Sequence, residues 1–172
     1  KKISFFNTYL PKQNQLVRVM PNMPALIEEG MSCMICNKYV NKKNKNLATS
    51  LFLKLGKIIW LKNELQINKV TAISGSGPGY VFFFIDAFEK AALKLKLNEA
   101  EAKKLVHQTV LGSIKLLIQG NETSDDLANK IAIKGGTTEA ALKILKHNNN
   151  FKKIVSKGIR SAFLKANELG NK

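Results

Sequence analysis

Arginine is nearly absent from this sequence: of 28 basic residues only Arg18 and Arg160 are not lysine. Base recognition in nucleic acids favours the planar, bidentate guanidinium, whereas lysine is a solvated point charge. The net charge of +16, from 28 basic against 12 acidic residues, therefore reads as a lysine-rich surface and argues against a sequence-reading nucleic-acid protein. A basic helical domain that holds nucleic acid through phosphates alone remains an alternative reading. Cysteine is scarce too, with only Cys33 and Cys36, which excludes a disulfide framework. Their C-x-x-C spacing lacks a second pair of zinc ligands, because the only two histidines, His107 and His147, fall on separate predicted helices. A redox motif would put the first cysteine at a helix N-terminus, yet GMSCMICNKYV reads as extended and apolar. The thiols are read as half-buried strand residues, the histidines as structural or surface residues, and no metal site is expected. No apolar run reaches the roughly 18 to 20 residues of a membrane span, since the stretch from Val81 to Ala87 is soon interrupted by charge, and residues 1–15 hold no secretory apolar core. A soluble, cytoplasmic protein is expected.

What is present is a chain of 172 residues with 45% hydrophobic content. That suits one compact domain, or one and a fraction, with a real core, and is too apolar for a chain kept unfolded by its charge. ISFF at 3–6 and LVRVM at 16–20 are short β-rich runs separated by a polar, turn-prone stretch. Two or three strands cannot stand alone, so this segment packs on the rest of the chain or belongs to a larger sheet. Pro21 and Pro24 then break the pattern.

From about residue 44 the periodicity turns helical. Leu47, Leu51, Phe52 and Leu55 share a face that Gly56 is expected to close, and IIWLK at 58–62 is a strand-like run. SGSGPG at 74–79 opens a helix with Pro78 near its first position. The first two turns of that helix are apolar on every side, which predicts burial all round, either in a large core or between subunits, and the chain length favours the second. Asn98 with Glu101, and Thr123 with Asp126, are capped helix starts; Leu105, Leu111, Leu116 and Leu117 are expected to form a core stripe. A last helix runs from about 150 to 169. NKKNKNLA at 41–48 is the candidate boundary, giving domains at 1–40 and 41–172.

One segment suggests ligand chemistry, IKGGTTEAALKIL at 133–145. Gly135 and Gly136 allow close backbone approach, Thr137 or Thr138 is expected to cap the helix, and the first-turn N–H groups form a cradle for a carboxylate or phosphate. Without a ligand, the same residues make a tight turn between helices. SGSGPG fails the G-x-G-x-x-G spacing and is no dinucleotide fingerprint.

VRVMPNMPALIEEGMS at 17–32, TAISGSGPGYVFFFIDAF at 71–88 and GGTTEAAL at 135–142, in that order, resemble the pyrroline-5-carboxylate reductases, the enzymes of the last step of proline biosynthesis. The resemblance implies a mostly α protein: a helical dimerisation and substrate-binding domain (41–172) preceded by the C-terminal remnant of an α/β Rossmann domain (1–40). The family's Gly-rich phosphate turn has no counterpart in these residues.

By that resemblance the helical domains of two subunits interlock as a homodimer or higher oligomer. The site forms between one subunit's nucleotide domain and its partner's helical domain, and hydride passes from NADPH or NADH to the C=N carbon of a cyclic imino acid. Gly135, Gly136, Thr137 and Thr138 would hold the substrate carboxylate, with the Thr138 hydroxyl near the ring nitrogen as the catalytic group. Pro21, Asn22 and Pro24 would lie beside the nicotinamide. Hydride transfer needs orientation more than a protein nucleophile, so the lack of a Ser-His-Asp set is no objection. Four positions depart from the family pattern: Ile133-Lys134 in place of Ser-Pro, Gly79 in place of Ala, and Glu139 in place of an apolar residue. A non-catalytic dimerisation remnant is the second alternative.

Overall fold

The computed structural model describes residues 1–6, 8–11 and 13–170. Its elements are α1 (Ile3–Phe6), β1 (Val17–Met20), a 3-10 turn (Met23–Ile27), β2 (Gly30–Cys36), α2 (Lys42–Leu53), β3 (Gly56–Trp60), α3 (Gln66–Val70), a π turn (Thr71–Gly75), α4 (Gly77–Lys94), α5 (Glu99–Gln119), α6 (Ser124–Ile131), α7 (Thr137–Lys146), a 3-10 turn (His147–Asn149) and α8 (Asn150–Gly170). Helices dominate and the sheet is small, which is the mostly α class expected. They form two compact units, one of residues up to Tyr80 together with those from Lys157 onward, the other Val81–Ser156.

The first unit is built on a three-stranded sheet in the order β1-β2-β3. β1 runs antiparallel to β2, Met20 opposite Cys33 and Val17 opposite Cys36. β3 runs parallel to β2, from Gly30 opposite Gly56 to Met34 opposite Trp60. A parallel pair needs a crossover, and α2 supplies it. The sheet therefore takes its third strand from beyond residue 40, inside the stretch read as helical domain. The central strand is apolar and buried on both faces, with Cys33, Met34 and Ile35 in the core beside Ile67 and Ala72. The two cysteines, three residues apart on β2, point to opposite faces; both are free thiols, Cys33 buried and Cys36 half-buried.

Two local expectations are corrected. Ile3–Phe6 is a helical turn and not a strand. A four-residue apolar run has no period to separate the two, and here the Ile3 N–H donates to Glu64 Oε1 at 2.7 Å while Phe5 packs edge-on against Phe6 with ring centroids 5.4 Å apart. Gly56 does not close α2, which ends at Leu53 with Lys54 as its cap. Instead Gly56, at φ 128, begins β3 so close to its partner that a Cβ would lie 2.2 Å from the Gly30 carbonyl oxygen.

In the second unit both reciprocal caps form. The Asn98 side chain accepts from the Glu101 N–H, Thr123 accepts from the Asp126 N–H, and each acid reaches back to the cap's own N–H. His107 Nε2 meets Glu89 Oε1 at 2.6 Å, joining α5 to α4. The expected leucine stripe on α5 is not core in a single chain: Leu105, Leu111 and Leu116 are exposed, and the buried residues are the smaller Ala102 and Val106 with Ala92 of α4. Along α4, Val81, Phe82, Phe83, Phe84 and Phe88 are likewise exposed, Phe83 by 75%. Helices with apolar side chains on several faces bury only those that meet another helix of the same chain.

Candidate substrate and cofactor site

The Gly-Gly-Thr-Thr turn joins α6 to α7 within the second unit. Gly135 adopts φ 77, the left-handed region that favours glycine. The Gly136 N–H then closes the turn onto the Ile133 carbonyl at 3.0 Å. A Cβ on Gly136 would press on Ile133 at 3.0 Å, so the second glycine answers a close approach. Gly136, at φ −83 and ψ 165, is the N-cap of α7 and makes no side-chain cap bond.

The expectation that Thr137 or Thr138 caps the helix is thereby corrected: both lie inside its first turn. Glu139 takes up the reciprocal part instead, its Oε2 accepting from the Gly135 N–H at 2.8 Å. Lys143 Nζ lies 3.9 Å from the same oxygen. The N–H groups of Thr137, Thr138 and Glu139 precede the first intrahelical bond and have no acceptor within the helix. They form, with the positive end of the helix dipole, a short donor array suited to a carboxylate. Thr137 is exposed and Thr138 half-buried, and Lys134, next to the turn in sequence, is exposed. A carboxylate arriving there shares the turn with the carboxylate of Glu139.

Pro21, Asn22 and Pro24 belong to the first unit, between β1 and β2. Pro24 sits in the first turn of the 3-10 segment and Asn22 is its N-cap. The Asn22 amide is engaged at both ends, Oδ1 accepting from the Met31 N–H at 2.8 Å and Nδ2 donating to the Ser74 carbonyl at 3.1 Å. Neither bond was visible in residue spacing. The same holds for the ion pair of Arg18 Nη1 with Glu64 Oε1 at 2.7 Å, which ties β1 to the segment before α3, and for the carboxylate beside His107. Among the described residues no group of three or more His, Cys, Asp or Glu side chains could hold a metal ion, and no helix is long and apolar enough to cross a membrane.

The family model described as pyrroline-5-carboxylate reductase dimerisation matches residues 64–169, beginning just past β3. The pyrroline-5-carboxylate reductase of Haemophilus influenzae is 32% identical over 164 residues, 95% of this chain and 60% of that protein. Its counterpart in Pseudomonas aeruginosa is 35% identical over 161 residues, 94% of this chain and 59% of that protein. Among solved structures, a pyrroline-5-carboxylate reductase from Coxiella burnetii superposes with a TM-score of 0.91 at 35% identity, covering 98% of this chain and 62% of that one. Pyrroline carboxylate reductase from Plasmodium falciparum, solved with NADP bound, gives a TM-score of 0.90 at 33% identity, covering 98% of this chain and 63% of that one. This chain thus spans about 60% of the length of those relatives. With a family match over more than half its residues and a fold that follows the solved members from β1 to α8, the chain belongs to the pyrroline-5-carboxylate reductase family.

Proposed function

We propose that the polypeptide carrying these residues reduces 1-pyrroline-5-carboxylate to L-proline, an NAD(P)H-dependent oxidoreductase of proline biosynthesis acting in the cytoplasm as a homodimer or higher oligomer. The observation that carries the reading is the turn at Gly135–Gly136, which presents the N–H groups of Thr137 and Thr138 at the start of α7. Those groups, set in place by the Gly136 N–H bond to the Ile133 carbonyl, orient the substrate carboxylate and so fix the ring. Bound NAD(P)H supplies the hydride. As the C=N carbon accepts the hydride, the π pair of that bond passes to the ring nitrogen, which takes a proton from solvent, and the Thr138 hydroxyl is the group proposed to hydrogen-bond there. Electrostatic orientation of this kind lowers the barrier without a covalent intermediate.

Pro21, Asn22 and Pro24 are proposed to border the nicotinamide, with residues 1–40, extended by β3, as the end of the nucleotide-binding domain and the helices after it as the dimerisation domain. The 172 residues contain no G-x-G-x-x-G turn. We accordingly propose that they are insufficient for turnover alone. An assembly-only role is the second reading, favoured by the exposed phenylalanines of α4 in a single chain.

Two measurements test the proposal. A steady-state assay of this chain with saturating NADPH and imine should show turnover far below the usual roughly 1 to 10³ per second, and a rate in that range overturns the claim that the chain is incomplete for catalysis. An NMR titration with L-proline should shift the amides of Gly136, Thr137 and Thr138. If those amides stay in place, the carboxylate cradle is wrong and the assembly-only reading takes over.

A further inference from the structure

An asparagine at the N-cap of a helical turn ordinarily folds its side chain back onto that turn. Asn22 makes no such bond and directs its amide elsewhere. Its Nδ2 donates to the Ser74 carbonyl, 52 residues away and half-buried in the π turn. In a regular helix that carbonyl would accept from the N–H of residue 78. Residue 78 is Pro78, which has none. The next N–H, of Gly79, goes to the Ser76 carbonyl at 3.0 Å, and the Ser76 N–H goes back to Thr71 at 2.8 Å. The neighbouring Ala72 carbonyl receives the Tyr80 hydroxyl at 3.2 Å. Side chains thus supply donors for carbonyls that the π turn and the proline leave without a regular backbone partner.

We infer that Asn22 is a positioning residue: its amide replaces the hydrogen bond that Pro78 removes, and so latches the Pro21–Pro24 segment and the start of β2 to the π turn that leads into α4. Its bearing on the cofactor rests on the reading of Pro21–Pro24 given above; the latch itself does not. With its Oδ1 on the Met31 N–H and its Nδ2 on Ser74, one side chain sets the register of three segments.

The test is a double-mutant cycle on the 172-residue chain, read by urea unfolding. Asn22→Asp keeps an acceptor for Met31 and removes the donor to Ser74, while Pro78→Ala restores a backbone N–H for that carbonyl. Asn22→Asp should raise the unfolding equilibrium constant about 5- to 30-fold beside Pro78, but about threefold or less in the Pro78→Ala background. Equal penalties in the two backgrounds overturn the latch. Should Asn22→Asp not fold, recovery of folding by adding Pro78→Ala supports it and failure to recover counts against it. The unmutated chain offers an independent check, since the Asn22 side-chain amide protons should exchange more slowly than those of exposed asparagines, and equal rates contradict the bond. Neither readout involves NAD(P)H, so loss of the latch and loss of the cofactor assignment are separately visible.

Discussion

At the scale of single residues, Gly135 carries the sharpest constraint in the proposed carboxylate site. Its φ of 77 favours glycine, yet a Cβ there would meet nothing within 4 Å. Gly135→Ala should therefore cost only the conformational penalty of the left-handed region, about 1–2 kcal/mol, read as a lowered urea midpoint with unchanged m-value. A loss well beyond that would mean the turn is also packed. The pair of glycines and the pair of threonines were legible in the sequence because a tight turn and a helix start each need their residues within four positions. Which residue caps was not legible. Gly136, Thr137 and Thr138 are all acceptable N-caps, and the choice fell to Gly136 once Glu139 had reached back to the Gly135 N–H. That carboxylate also places an internal acid on the turn proposed to hold the substrate.

At the scale of elements, α5 and α6 show how closely spaced signals become structure. In α6 the Thr123 side chain and backbone N–H both bond Asp126, and these bonds hold the Asp126 carboxyl below its ordinary value. A carboxylate whose pKa is lower in the folded chain contributes stability that is present above the unfolded value, about 3.9, and is lost as pH falls through the folded one. Asp126→Asn should accordingly weaken the chain near neutral pH, and the difference from the unsubstituted protein should shrink below about pH 4. Circular dichroism of both proteins across that range checks it; a difference independent of pH would assign the cap to the hydroxyl alone. The single-turn α1 marks the opposite case. ISFF has strand-forming residues, but β1 takes its antiparallel partner from β2, and the Ile3 N–H is claimed by Glu64, 61 positions on. No window of sequence contains both ends of that bond.

Across the whole molecule, the feature that asks for a partner is the apolar surface of α4. Phe83, 75% exposed in a single chain, lies in the region that matches a dimerisation domain. In the proposed homo-oligomer, Phe83→Asp should leave the secondary structure intact and shift the chain to monomer, measured by sedimentation velocity; an unchanged oligomer would place the interface elsewhere. The net charge of +16 bears on solubility and not on fold. By itself the sequence determined the helical class, the starts of α5, α6 and α8 and the Gly-Gly-Thr-Thr turn, because caps, turns and periodicity act over three or four residues. Only the tertiary structure decided that β3 joins β2 across α2, that Asn22 serves Ser74, that Glu89 meets His107, and which apolar residues are core. Those outcomes depend on residues 18 to 52 positions apart being carried together by packing, and packing buried small Ala102 and Val106 while leaving the larger side chains of α4 and α5 at the surface.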